Sequence, residues 1–240
     1  MQRMSIERMP EGPPAGAHVP ADPTAAERAL RIQILATEHW SLLATRSLSW
    51  NESFARAGMF LTLLSGATVA LALVAQATSF GQGFVLFGLL ILPVVLFVGV
   101  TTYVRLLEIN NEDYVWVRGM NRLRGAYLEA APELATYFIS GTTEDAAGIF
   151  QTFGTLPDTP ASLDTGLFHG LVTTPTTIGF VDATLAAVLA AILGTQLQMA
   201  MLPAAGIGVA VFVLSAAALG WFGYRTQAMA HLYQGGRAPK

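Results

Sequence analysis

The chain contains no cysteine. That excludes a disulfide, a thiolate metal site and a cysteine nucleophile. Charge is scarce too: only 12% of the 240 residues are Asp, Glu, Lys or Arg, about half the share of ordinary soluble domains. The net charge of −3 leaves no basic excess for nucleic acid. Catalytic signatures are also missing. His18, His39, His169 and His231 are scattered, with no His-x-x-x-His or Glu-x-x-His spacing. No serine sits in a Gly-x-Ser-x-Gly elbow, and "GQG" and "GIG" lack the spacing and the lysine of a phosphate loop. The expectation is a non-enzymatic protein with no catalytic residue, no metal site and no cofactor. Residues 1–23 have no apolar core but several Pro and Gly, which predicts a disordered tail and no cleavable signal peptide.

What the chain has instead is apolar length. Hydrophobic residues make up 53% of it, and a helix needs about 20 of them in a row to cross about 30 Å of hydrocarbon. Four stretches qualify: 57–78, 84–104, 176–197 and 203–224. None shows the polar face of a soluble amphipathic helix. The predicted fold class is an all-α integral membrane protein whose four transmembrane helices form two hairpins. Twelve of the thirteen basic residues are arginine; with abundant alanine, this is the bias of a high-GC bacterial genome. Six basic residues precede the first span, four lie between the second and third, and three follow the fourth. The connections "SFGQG" and "QMAML" carry no charge. Basic residues stay on the cytoplasmic side, so both termini and the middle segment are expected in the cytoplasm of a multi-pass protein of the bacterial inner membrane.

Amphipathic stretches flank the first hairpin. "TAAE" at Thr24–Glu27 is a capping box, and Ala29, Ile32, Ala36, Trp40, Leu43, Ser47, Trp50 and Phe54 recur every three or four residues. Beyond the second span, Ile109, Trp116, Met120, Leu123 and Tyr127 form a second apolar stripe. The hairpin over 24–131 is therefore expected to extend into the cytoplasm as helices 24–56 and 105–131, the stripes meeting as in a coiled coil. Residues 132–175 read as short helices and a turn-rich linker. One helix is expected in "PELATYFISG", and one capped by Thr143 with Glu144 and Asp145 in its first turn. Residues 225–240 form a C-terminal tail.

Candidate functional residues are few. Asp182 stands in the third span, about 9 Å from its start at 1.5 Å per residue. A charge at the bilayer centre costs about 3 kcal/mol on insertion scales, and less near the interface. Thr177 is within reach of it by spacing, and Arg105 is the charge partner expected. The functional reading is a proton or cation site; the alternative is a shallower helix whose N-terminus Asp182 caps. Glu108, Glu112 and Asp113 make an acidic cluster that reads either as a divalent-cation or acid–base site or as a solvated face balanced by Arg105. Small residues four apart, among them Ala183, Ala187, Ala191, Gly194, Gly206 and Ala210, let helices approach closely. They read as the packing of spans three and four, or as a subunit interface or pore wall. Trp221 and Tyr224 suit a membrane interface, and Pro93 a kink.

"EHWSLLATRSLSWNE" (Glu38–Glu52) and "YVWVRGMNRLRGAYLEAAPELA" resemble a family of uncharacterised bacterial multi-span membrane proteins, a resemblance covering both arms and the first hairpin. It implies the membrane setting and no activity. The helix–span–span–helix plan is similar in architecture alone to the two-span SLATT-type effector domains of bacterial nucleotide-signalling defence systems. The leading expectation is an oligomeric membrane unit, ion-conducting or membrane-perturbing. It would sit in the lipid bilayer and contact copies of itself, but no nucleic acid. The rivals are a scaffold recruiting a soluble cytoplasmic partner and an ion or small-solute transporter using Asp182.

Overall fold

The computed structural model describes residues 23–153 and 173–235. These are almost wholly helical, with no strand among the described residues. In chain order they form α1 (Pro23–Thr78), α2 (Gln82–Ala130), a 3-10 turn (Pro132–Tyr137), α3 (Ala146–Thr152), α4 (Thr174–Gln196) and α5 (Met201–Gly235). Four of them, α1, α2, α4 and α5, are long and apolar enough to cross a membrane. Of the tail expected at 1–23, residues 1–22 lie outside the described residues and Pro23 opens α1. The linker at 155–166 lies outside them too, and of the tail expected at 225–240 the part to Gly235 is helix, the rest again outside the described residues.

α1 is one unbroken helix of 56 residues, so arm and span share a single axis. α2 runs 49 residues and continues through Pro93. The two are joined by a tight turn in which Ser79 and Phe80 take positive φ of 48° and 56°. Phe80 N–H donates to the Ala75 carbonyl at 3.0 Å and Gly81 N–H to that of Thr78 at 2.8 Å, closing the end of α1.

Side-chain neighbours along α1 and α2 run in opposite order. Leu71 lies beside Gly88 and Phe60 beside Gly99, Glu52 binds Arg105 and Arg46 binds Asp113, and His39 stacks on Tyr127. The two helices are thus antiparallel along most of their length. The inward line of α1 is His39, Leu42, Arg46, Ser49, Ser53, Ala57 and Phe60, a spacing of three and four. That corrects the expected stripe by one residue. Trp40 is 71% exposed, and Leu43 and Phe54 also face outward. Trp50 is half turned in, its Nε1 donating to Asp113 Oδ1 at 3.3 Å. The cause is pairing: polar residues that find partners can occupy the inner face, and hydropathy does not register partners. On α2, Ile109, Met120 and Leu123 are buried, and Trp116 partly so.

The segment after α2 folds back on it. Asp145, not Thr143, caps α3, accepting from Gly148 N–H at 3.0 Å. Glu144 sits outside the first turn and instead accepts from Arg118 and Arg122. The expected helix in "PELATYFISG" is the 3-10 turn. Asn121 is fully buried and holds the fold-back: its Nδ2 donates to the Thr143 carbonyl at 2.9 Å, and its Oδ1 accepts from Thr152 Oγ1 at 2.7 Å.

α4 packs on both α2 and α5. Ala187, Ala191 and Gly194 meet α5 of the same chain, and Ala183 is fully buried. Gly206 and Ala210 face outward, so they are not contacts of this pair. α5 instead presents Ala204 to Gly194 and Gly208 to Ala187 and Ala191. Backbones approach where both helices carry small residues, and Ala204 and Gly208 are the small pair on the side of α5 that α4 covers.

Candidate functional site

Between Arg56 and Arg105 there is no Asp, Glu, Lys or Arg, and Asp182 is the sole one between Asp164 and Arg225. The fold brings that carboxyl group to the meeting point of three helices. Asp182 is 1% exposed. It projects from α4 onto Gly99 of α2, with Phe60 of α1 closing the same space: a Cβ on Gly99 would overlap the carboxylate and stand 2.8 Å from Phe60 Cε2. Glycine is the one residue that admits Asp182 here. Neither carboxylate oxygen meets a hydrogen-bond partner among the described residues. Ile178 and Leu185, a turn to either side on α4, are buried in the same apolar cluster as Phe60, Val95 and Leu106.

One turn along α2, Tyr103 makes the matching contact. Its ring fills a notch between Gly179 of α4 and Gly223 of α5, and its hydroxyl donates to the Leu219 carbonyl at 2.7 Å. α2 therefore accepts a side chain from α4 at Gly99 and inserts one into α4 and α5 at Tyr103. Two glycine-lined contacts, one in each direction, fix how the second helical pair sits on the first.

No family model, no curated protein and no solved structure matches the chain. Function rests on the geometry.

That geometry corrects both partners expected for Asp182. Thr177 Oγ1 donates to the Thr173 carbonyl at 3.3 Å. Arg105 turns toward the arms, donating to Glu52 at 3.0 Å, Glu112 at 3.0 Å and Glu108 at 3.1 Å. Three partly exposed carboxylates hold the guanidinium better than one carboxylate set inside apolar surroundings. Nor does Asp182 cap its helix: it lies eight residues in, about 12 Å from the start of α4 at 1.5 Å per residue. The acidic cluster also divides. Glu108 and Glu112 share Arg105, whereas Asp113 is 4% exposed and faces α1, accepting from Arg46 Nε at 2.6 Å and Nη2 at 3.1 Å. Among the described residues no three His, Asp or Glu side chains gather to hold a metal ion.

Farther from the spans, Arg122 and then Arg118 hold the Glu144 carboxyl below its ordinary range, against the opposing effect of partial burial. The Thr143 hydroxyl and the Gly148 N–H do the same for Asp145.

The arm residues separate in the same way. Ile109, Met120 and Leu123 serve the α1–α2 contact or the seat of α3, where Ile149 packs on Val117 and Met120. Trp40 and Leu43 do not: they lie on an outer face of α1 that no described residue covers. Gly99 and Tyr103 were missed from the sequence. Gly99 is one small residue inside "FVGVTTYV", and only its contact with Asp182, 83 positions away, marks it.

Proposed function

We propose that the chain is a four-span protein of the bacterial inner membrane that acts by assembling with copies of itself through the outer face of α1, not by turning over a substrate. The observation that carries this is one continuous uncovered line along that helix. Trp40, Leu43 and Phe54 are exposed on the arm, and Gly58, Thr62 and Ser65 continue the line into the span. The line is about 38 Å long at 1.5 Å per residue. Space is open at Gly58, where a Cβ would meet nothing within 4 Å. Lipid can cover apolar side chains but does not follow the aqueous arm, and a soluble protein reaches only the arm. A second α1 has both parts on one axis, and insertion in the same orientation sets the two arms side by side at equal depth. Small residues in the span allow the close approach, and the aromatic arm supplies buried area.

Membrane placement rests on the arginine distribution and on depth. Phe60, Gly99 and Asp182 meet in the structure, and each lies about 6–12 Å inside its own helix's uncharged stretch. Both termini and 105–175 are then cytoplasmic. A ring of more than two copies would turn Thr62, Ser65 and Thr68 toward its axis and give a conducting unit; their hydroxyls now donate to Gly58, Leu61 and Leu64 carbonyls.

The absence of cysteine makes the test direct. Single cysteines at Ser47 and Gly58 are expected to form disulfide-linked dimers on oxidation in native membranes, and one at Gly206 is not. Sizing in mild detergent is expected to give a mass above one chain, lowered by Trp40→Ala with Leu43→Ala. A monomeric mass with no crosslink at Ser47 or Gly58 overturns the reading and leaves the arm to a soluble partner.

A further inference from the structure

The Asp182 carboxyl stands outside this account of assembly, and its surroundings ask for a ligand of their own. α1 offers Phe60, and α2 offers Gly99. On α2 the titratable group nearest in sequence is Tyr103, whose hydroxyl is committed to Leu219. α4 itself offers Ile178, Gly179 and Leu185. The adjacent charged residue on α2, Arg105, is six positions beyond Gly99 and engaged by three glutamates. No charged group and no hydrogen-bond donor among the described residues faces either oxygen.

A metal cation does not fit such a place. Hard cations take six or more oxygen ligands, and here one carboxyl group is enclosed by a glycine backbone and an aromatic ring. A proton needs no coordination shell. It also lets the carboxyl group lie against apolar atoms as an uncharged group.

We propose that Asp182 is a proton-binding site that latches α4 onto α1 and α2: with its proton bound the carboxyl group seats against Gly99, and with the proton released to water the carboxylate must hydrate and the helices must part there. The balance is simple, a carboxylic acid giving a carboxylate and one proton, with no other reactant. Because Asp182 lies in the α2–α4 contact, proton release is coupled to separation of the second helical pair from the first. This rests on the membrane placement of α2 and α4, and not on self-assembly through α1.

The test uses the full chain in lipid vesicles, with the proton as the probe. pH-difference infrared spectra are expected to show the carbonyl band of a buried protonated carboxyl, lost on alkalinisation and missing in Asp182→Asn. In parallel, Leu185→Cys, packed a turn from Asp182 and buried, is treated with a small membrane-permeant thiol reagent. Its labelling rate, divided by that of Leu185→Cys in the Asp182→Asn background at the same pH, is expected to rise at least tenfold as the band disappears. That ratio cancels the thiol's own titration. If Asp182→Asn does not fold, carbon-13 aspartate in the unaltered chain must shift the same band. The absence of any aspartate-dependent protonated band at every pH overturns the proposal. So does a labelling ratio that stays flat while the band vanishes, and so does a carboxylate that proves ionised and hydrated throughout. Topology is read separately, by an impermeant reagent on cysteines at Gln82 and Met199, so a failure of membrane placement is told apart from a failure of the latch.

Discussion

Replacing Arg46 by leucine removes the counter-charge of a nearly buried carboxylate. Asp113 has a side chain only 6% exposed, against 22% for Arg46. It accepts three hydrogen bonds: from Arg46 Nε at 2.6 Å, Arg46 Nη2 at 3.1 Å and Trp50 Nε1 at 3.3 Å. Arg46→Leu deletes the first two and leaves the longest. Breaking a buried pair from one side costs about 3–5 kcal/mol. The partial exposure of Arg46 lets water reach the vacated site, so a value of about 3 kcal/mol is expected. At about 2–4 °C per kcal/mol for a chain of this size, thermal unfolding in mild detergent falls by about 6–12 °C. Asp113→Leu strands the more exposed partner, which can turn to water, and is expected to cost about 1–2 kcal/mol. In Arg46→Leu/Asp113→Leu both charges are gone and two apolar side chains share the contact, which is often close to neutral. The double-mutant cycle should therefore show at least about 2 kcal/mol of coupling. If the single effects add to within about 0.5 kcal/mol, the pair does not hold α1 to α2 and the register drawn from it is wrong.

Three more outcomes follow from the packing. Tyr103→Phe keeps the ring in its glycine notch but loses the hydrogen bond to Leu219, for an expected loss of about 1 kcal/mol in the same melting experiment. Gly141→Ala places a methyl group into the backbone of Gly148, which cannot yield as a side chain would. About 1–3 kcal/mol of overpacking should loosen the fold-back, seen as faster proteolysis between α2 and α3. Glu144 has its carboxyl held below the ordinary value of 4.5 by Arg122 and Arg118. Its contribution is full above that value and lost as pH falls through the depressed one. Acid should therefore release the segment that carries α3, and Arg122→Gln should move that release to higher pH.

The long apolar stretches were legible because lipid-crossing length and the absence of charge leave a plain mark on the sequence. The inner face of α1 was not. His39 reads as a partly buried side chain beside the stripe, and it stacks on Tyr127. Arg46 and Ser53 carry no apolar mark, and Arg46 turns inward because Asp113 lies opposite it. Trp40 and Phe54 look like core, yet both are exposed, Phe54 leaning on the Trp50 ring of its own helix at 5.9 Å. A shift of one residue, about 100° around the helix, exchanges the two readings, and pairing chose the less apolar one. Asp182 stood out at once as an isolated charge. Its surroundings did not, since a glycine on another helix has no pattern of its own. The expectation of Arg105 as its partner failed because three glutamates compete for that guanidinium.

The single axis of α1 makes it a lever. Its part before the apolar stretch runs over 24–56, about 50 Å at 1.5 Å per residue. With no break between the two parts, tipping the embedded portion by about 10° swings the far end by about 9 Å. In the proposed membrane placement, a disturbance of the bilayer too small to expose any new surface would thus be delivered, magnified, to whatever the far end of the rod touches.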